Sequence, residues 1–112
     1  EGDTKTKAKK LLNEALMIEK AGAFSIVLEC VTPETSRFIT KKLKIPTIGI
    51  GSSSHCDGQI LVTDDMLGLS GFYPKFVKKY ASLNRSIEKA VKKYSRDVKD
   101  NKFPKKKNFL YG

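Results

Sequence analysis

The sequence predicts an α/β fold that is part of something larger, either a doubly wound parallel sheet or a (βα)8 barrel. Three observations predict it. Residues 24–31 form a nearly continuous apolar run bounded by Gly22 and Pro33, the pattern of a parallel strand covered on both faces. A helix signal and a second short apolar strand follow directly, which makes a right-handed βαβ unit. The 112 residues then supply material for only a few such strands with helices on one side. That is too little to cover both faces of a parallel sheet, and a complete barrel needs about 250 residues.

The elements follow in order. Ala8, Leu11, Leu12, Ala15 and Leu16 recur at the three- and four-residue spacing of one helix face, and Gly22 stops that helix. The run from Phe24 to Val31 is too short for a helix and reads as a strand. Thr32-Pro33-Glu34 is a helix start: Thr32 as the cap, Pro33 in the first turn, Glu34 near the positive end of the dipole. This helix is expected to reach about Leu43. Ile45 to Gly51 reads as a second strand whose proline sits at the entry, where no central ladder bond is lost. A polar loop, Ser52 to Gly58, leads to a third apolar stretch, Gln59 to Val62, closed by the turn residues Thr63-Asp64-Asp65. Two further helices are expected between about 74 and 100. One starts near Pro74 with Phe76, Val77, Tyr80 and Ala81 on one face, and one follows Asn84 with Ile87, Ala90, Val91, Tyr94 and Val98. Residues from Phe103 to Lys107 read as an irregular tail. The whole of 1–112 is read as part of a single domain.

Composition narrows the function classes. Hydrophobic residues are 39% and charged residues 30% of the chain, which is a globular rather than a disordered composition. No apolar run approaches the roughly 20 residues of a membrane span. Glu1-Gly2-Asp3-Thr4 lacks the basic-then-apolar layout of a secretory signal, so a cytoplasmic setting is expected. Cys30 and Cys56 are expected to be free thiols, Cys30 buried in its apolar run. The net charge of +10 favours polyanions in principle. The lysines, however, are spread over several segments between apolar residues at helical spacing, without zinc-finger spacing or an Arg-Gly arm. They read as solvated helix faces rather than a nucleic-acid stripe, and a small basic nucleic-acid-binding module is the lesser alternative.

Side chains alternate along a strand, so Ser25, Val27 and Glu29 share one face of the first strand while Ile26, Leu28 and Cys30 share the other. The wholly apolar face is expected to meet helices. Glu29 then stands at the carboxyl end of the strand on the opposite face, where the active sites of βα barrels lie. In the second strand Thr47, Gly49 and Gly51 share a face, and these small residues are expected to leave room beside Glu29. The bland alternative for Glu29 is a carboxylate that caps a neighbouring helix or pairs with a lysine.

Other constellations are weaker. Gly49-Ile50-Gly51 followed by three serines lacks the third glycine and the following helix of a nucleotide loop, and there is no Gly-Lys-Ser/Thr. His55, Cys56 and Asp57 are metal-ligand types, but consecutive residues seldom converge on one ion; Asp57-Gly58 reads as a turn. Asp64 and Asp65 have a catalytic or metal-binding reading and a turn or capping one, the latter favoured.

"AGAFSIVLECV", "IPTIGIGSSSHCDGQILVTDDMLGL" and "PKFVKKY" resemble the carboxyl-terminal half of the ketopantoate (3-methyl-2-oxobutanoate) hydroxymethyltransferase family, over about residues 8 to 104. The resemblance implies a (βα)8 TIM barrel of the phosphoenolpyruvate/pyruvate type, with this chain supplying about the last three βα units. It implies transfer of a hydroxymethyl group from 5,10-methylenetetrahydrofolate to 2-oxoisovalerate in pantothenate biosynthesis, with Glu29 matching the catalytic general base. Another carbon–carbon lyase on the same barrel is the competing enzyme reading. In such an enzyme a Mg2+ ion binds the keto acid and stabilises its enolate; the metal ligands, and most substrate contacts, are expected in the amino-terminal half of the barrel and not in this chain. The chain alone is therefore expected to be inactive. Family members are decamers, which makes a homo-oligomer the expected assembly and the helices after Pro74 its candidate surfaces. One departure stands out: Ser52-Ser53-Ser54 occupies a loop that usually opens with Ala-Gly.

Overall fold

A computed structural model describes residues 1–111. It divides into two units, Glu1–Val62 with Pro74–Val77, and Thr63–Tyr73 with the residues from Lys78 onward.

In the first unit, helix α1 (Lys5–Lys20) starts where the Thr4 hydroxyl accepts the backbone N–H of Lys7 at 3.2 Å, an N-cap that satisfies one of the orphan donors of the first turn. Asp3 and Lys7 pair across that turn at 2.9 Å. The hydrogen bond and charge of Lys7 hold the Asp3 carboxyl below its ordinary value, so the pair contributes above that ordinary value and is lost as pH falls from there through the lowered one. Both groups are solvated, and the effect is small. Of the expected apolar face, Ala15 is buried and Ala8, Leu11 and Leu12 are half-buried, while Leu16 lies at the solvent edge.

Strand β1 (Ile26–Glu29), helix α2 (Pro33–Lys42) and strand β2 (Thr47–Ile50) form the βαβ unit read from the sequence. β1 is shorter than its apolar run, because Phe24 is 88% exposed and Cys30 turns away with a φ of 52°. Thr32 occupies the N-cap of α2, but its hydroxyl donates to the Gly2 carbonyl instead of capping the helix. The buried face of α2 is small and partly polar. Thr35 donates to the Gly2 carbonyl at 2.8 Å and Ser36 to the Val31 carbonyl at 3.3 Å, so each hydroxyl is satisfied. Ile39 sits among Ala15, Leu28, Val31, Leu43 and Cys56. That cluster is the core of this unit.

Strand β3 (Gly58–Gln59) completes a three-stranded sheet of order β1-β2-β3, parallel throughout. It begins one residue earlier than the apolar stretch and ends after Gln59; Ile60 still donates to the Gly49 carbonyl at 3.0 Å, beyond which the chain leaves the ladder. The connection from β2 to β3 is only residues 51–57 and contains no helix, whereas parallel strands are ordinarily joined by a dozen or more residues. Cys56 turns inward from this loop and takes part in the core on the helix side of the sheet.

In the second unit, Thr63–Leu67 is a short helix, α3, rather than the turn expected at Thr63-Asp64-Asp65. The helix expected from Pro74 does not form. Pro74–Val77 makes a single turn, and the N–H groups of Tyr80 and Ala81 both bond to the Met66 carbonyl (2.8 and 3.3 Å), which removes the donors an α-helix would use. The terminal helix is α4 (Leu83–Lys99), which starts two residues before the expected point after Asn84. None of its residues is buried: the stripe Ile87, Val91, Tyr94 and Val98 is exposed, and Tyr94 meets Phe103 edge to face at 5.8 Å. The tail holds a 3-10 turn at Lys106–Asn108.

Two positive-φ glycines show opposite steric demands. Gly22 ends α1 at a φ of +101° with nothing near its missing Cβ, whereas a Cβ on Gly68 (φ +72°) would stand 2.2 Å from the Ala81 carbonyl oxygen. Backbone cannot swing aside as a side-chain tip does. Gly22→Ala is therefore expected to cost about 1 kcal/mol of left-handed strain, and Gly68→Ala clearly more, read as a larger drop in the thermal midpoint.

Candidate active site

Glu29 is the last residue of β1, and the parallel register pairs it with Ile50, as Val27 pairs with Ile48. Paired residues point to the same side of a sheet. One face of β1 and β2 thus presents Val27, Glu29, Ile48 and Ile50, and the other presents Ile26, Leu28, Thr47 and Gly49. The second face packs on the helices: Leu28 joins the core cluster, and the Thr47 hydroxyl lies 2.8 Å from that of Thr40 on α2. The first face is open. Val27 is 52% exposed, Glu29 is exposed, and Ile48 and Ile50 are half-covered.

The expected division of β1 into a helix-facing apolar side and an open side bearing Glu29 is therefore seen. The expected partner face of β2 is not. Thr47 and Gly49 lie on the helix side, so glycines do not carve the space beside Glu29; its neighbour across the ladder is Ile50. The cause is polar satisfaction. The Asp57 carboxylate accepts both the backbone N–H (2.9 Å) and the hydroxyl (3.3 Å) of Thr47, and that hydroxyl also meets Thr40, a network available only on the α2 side. A Cβ at Gly49 would meet Cys56 Sγ and the Gln59 side chain, not Glu29.

The turn after Glu29 is held tightly. Cys30 is in the left-handed region, sparsely used by residues other than glycine. Its N–H donates to the Ile50 carbonyl at 3.0 Å. The Ser52 hydroxyl donates to the Leu28 carbonyl at 2.6 Å and accepts the Val31 N–H at 3.1 Å. This turn also places Cys30 at the surface, a correction to its expected burial; Cys30 and Cys56 are both free thiols. A cavity of about 230 Å³ opens along β1 toward α1, lined among others by Leu11, Ala15, Ile18, Val27 and Glu29. Its lining also includes Glu1, Glu14, Leu28 and Ile39, so it extends to the helix side of the sheet.

The weaker candidates do not converge. Asp57 is engaged with Thr47, Cys56 is buried, and His55 is exposed with its N–H on the Ser53 hydroxyl. Asp64 and Asp65 lie in the first turn of α3, where Asp65 accepts the Ser70 hydroxyl at 2.6 Å. Among the described residues, no group of three or more His, Cys, Asp and Glu is placed to hold a metal ion. The residues present do not fit a Mg2+ site. Sequence reasoning missed Ser52, which stood only as part of a polar loop; its one signal is a hydroxyl two residues beyond a strand end.

A family model described as ketopantoate hydroxymethyltransferase matches residues 1–106. The 3-methyl-2-oxobutanoate hydroxymethyltransferase of Enterococcus faecalis is 54% identical over 105 residues, covering 93% of this chain and 38% of that protein. Those of Clostridium botulinum (49% identical, 96% of this chain, 40% of that protein) and Pelagibacter ubique (50%, 89% and 39%) are similar. The chain spans about two fifths of the length of these relatives. With a matching model over nearly its whole length and relatives at about half identity, the chain belongs to the ketopantoate hydroxymethyltransferase family.

Proposed function

We propose that the chain is the carboxyl-terminal part of a (βα)8 hydroxymethyltransferase barrel, contributing its last three strands, and that Glu29 is the general base. The observation that carries this reading is the position of Glu29: an exposed carboxylate at the carboxyl end of a parallel strand, on the sheet face opposite the one that packs on α1 and α2, in a chain of this family. In a closed barrel that face points inward and that strand end lies at the catalytic mouth.

The chemistry asks for a base over a carbon next to a ketone. In 2-oxoisovalerate the Glu29 carboxylate takes the proton from C3 and the C3–H electron pair moves into the enolate; water releases the one-carbon unit of 5,10-methylenetetrahydrofolate as formaldehyde and leaves tetrahydrofolate, C3 attacks the formaldehyde carbon, and the resulting alkoxide is protonated to give 2-dehydropantoate. The apolar residues around Glu29, Val27 and Ile50, suit the isopropyl end of such a substrate. The Mg2+ ion of this reading, the folate and most keto-acid contacts belong to the amino-terminal part of the barrel, and no step here is routed through the metal. The complete enzyme would assemble as a homo-oligomer, a decamer by likeness to the family.

Product analysis of a complete barrel carrying residues 1–112 tests the reading. With 2-oxoisovalerate and methylenetetrahydrofolate it is expected to form 2-dehydropantoate, and without folate only to exchange the C3 proton with solvent. Folate-independent cleavage or formation of a carbon–carbon bond would instead indicate another lyase on the same barrel.

A further inference from the structure

The turn that aims Glu29 is closed by a single side-chain oxygen from another strand's loop. Ser52 Oγ donates to the Leu28 carbonyl at 2.6 Å and accepts the Val31 N–H at 3.1 Å. Those two backbone groups bracket Glu29 and Cys30. Cys30 holds a φ of 52°, a conformation that persists in a residue with a side chain only when its surroundings over-determine it. Besides the ladder bond from Cys30 N–H to Ile50, the Ser52 hydroxyl is what ties both sides of this turn to the end of β2. Gly51, at a φ of +61°, swings the chain off β2 so that the next residue reaches across to β1.

We infer that Ser52 is a positioning residue for Glu29: it fixes the backbone on both sides of the base and so the direction in which the carboxylate leaves the strand. This rests on the proposed role of Glu29. A carboxylate displaced by a fraction of an ångström still binds no less substrate but takes the proton more slowly, because proton transfer depends steeply on alignment and binding does not.

The experiment is C3-proton exchange of 2-oxoisovalerate in deuterated water by a complete barrel carrying this chain, native or completed with the amino-terminal portion of the Enterococcus faecalis relative. Ser52→Ala, Ser52→Thr and Glu29→Gln are compared over keto-acid concentrations from below KM to saturation. For Ser52→Ala the exchange rate is expected to fall roughly tenfold with KM changed less than about twofold, and Ser52→Thr, which keeps the oxygen, to recover most of the loss. Parental exchange in Ser52→Ala beside a dead Glu29→Gln overturns the positioning role and leaves the base assignment standing. An equal loss in the alanine and threonine variants also overturns it, since the oxygen is then not what matters. Parental exchange in Glu29→Gln overturns both.

Discussion

Glu29→Gln in a complete barrel is expected to slow exchange of the C3 proton of 2-oxoisovalerate by about 10²- to 10⁴-fold, the usual contribution of a positioned base. Glutamine keeps the shape and can still hydrogen-bond, but it has no basic oxygen. Binding of the keto acid should change little, because Glu29 stands at an open strand end and is held in no ion pair among the described residues. Isothermal titration with 2-oxoisovalerate beside the exchange assay separates the two quantities. Retained binding with lost exchange identifies a base. Loss of both in proportion would instead make Glu29 a binding group, and unchanged exchange would remove it from the chemistry.

The second large effect is on stability. Ile39 is 1% exposed and packs in a cluster of only six buried apolar residues, so its truncation removes a sizeable part of that core. Ile39→Ala is expected to cost about 2–5 kcal/mol, the transfer free energy of the lost methylenes plus the cavity left where α2 meets the sheet. Against a total stability of about 5–15 kcal/mol for a typical domain, such a loss approaches unfolding. Urea denaturation should show the midpoint falling sharply for Ile39→Ala and moving little for Met17→Ala, which removes a comparable side chain that is 70% exposed on α1. Equal shifts would mean that the cluster around Ile39 is not the core.

What could be read from the sequence follows from which forces are local. α1, α2 and α4 announce themselves by periodicity, and α2 also by Pro33 in its first turn, all within a few residues of the element they define. The apolar runs of β1 and β2 are equally local, and so is the position of Glu29 at a strand end. The register between strands is not. Alternation sorts the residues of β2 into two faces without saying which face joins Glu29, and that choice was made by Thr47, whose hydroxyl finds Thr40 and Asp57 on the helix side. The failed helix after Pro74 has the same origin, since Phe76, Val77, Tyr80 and Ala81 do have helical spacing. The Met66 carbonyl, fourteen residues before Tyr80, captures the donors that spacing would need. Ser52 was invisible for a related reason: its partners, Leu28 and Val31, lie 24 and 21 residues away.

The helix-free passage from β2 to β3 also bears on how the sheet comes together. Parallel pairing is ordinarily slow because a long segment must be ordered before the strands meet, and the entropy of closing it is spent before any contact returns. Residues 51–57 make this the shortest connection in the sheet, and chain segments of about ten residues close in roughly 10–100 ns. The β2–β3 pair thus has the sequence-local topology more typical of a hairpin, while β1 and β2 are separated in sequence by the whole of α2. Nucleation of this sheet is accordingly expected at its β3 side, with the strand that carries Glu29 arriving afterwards.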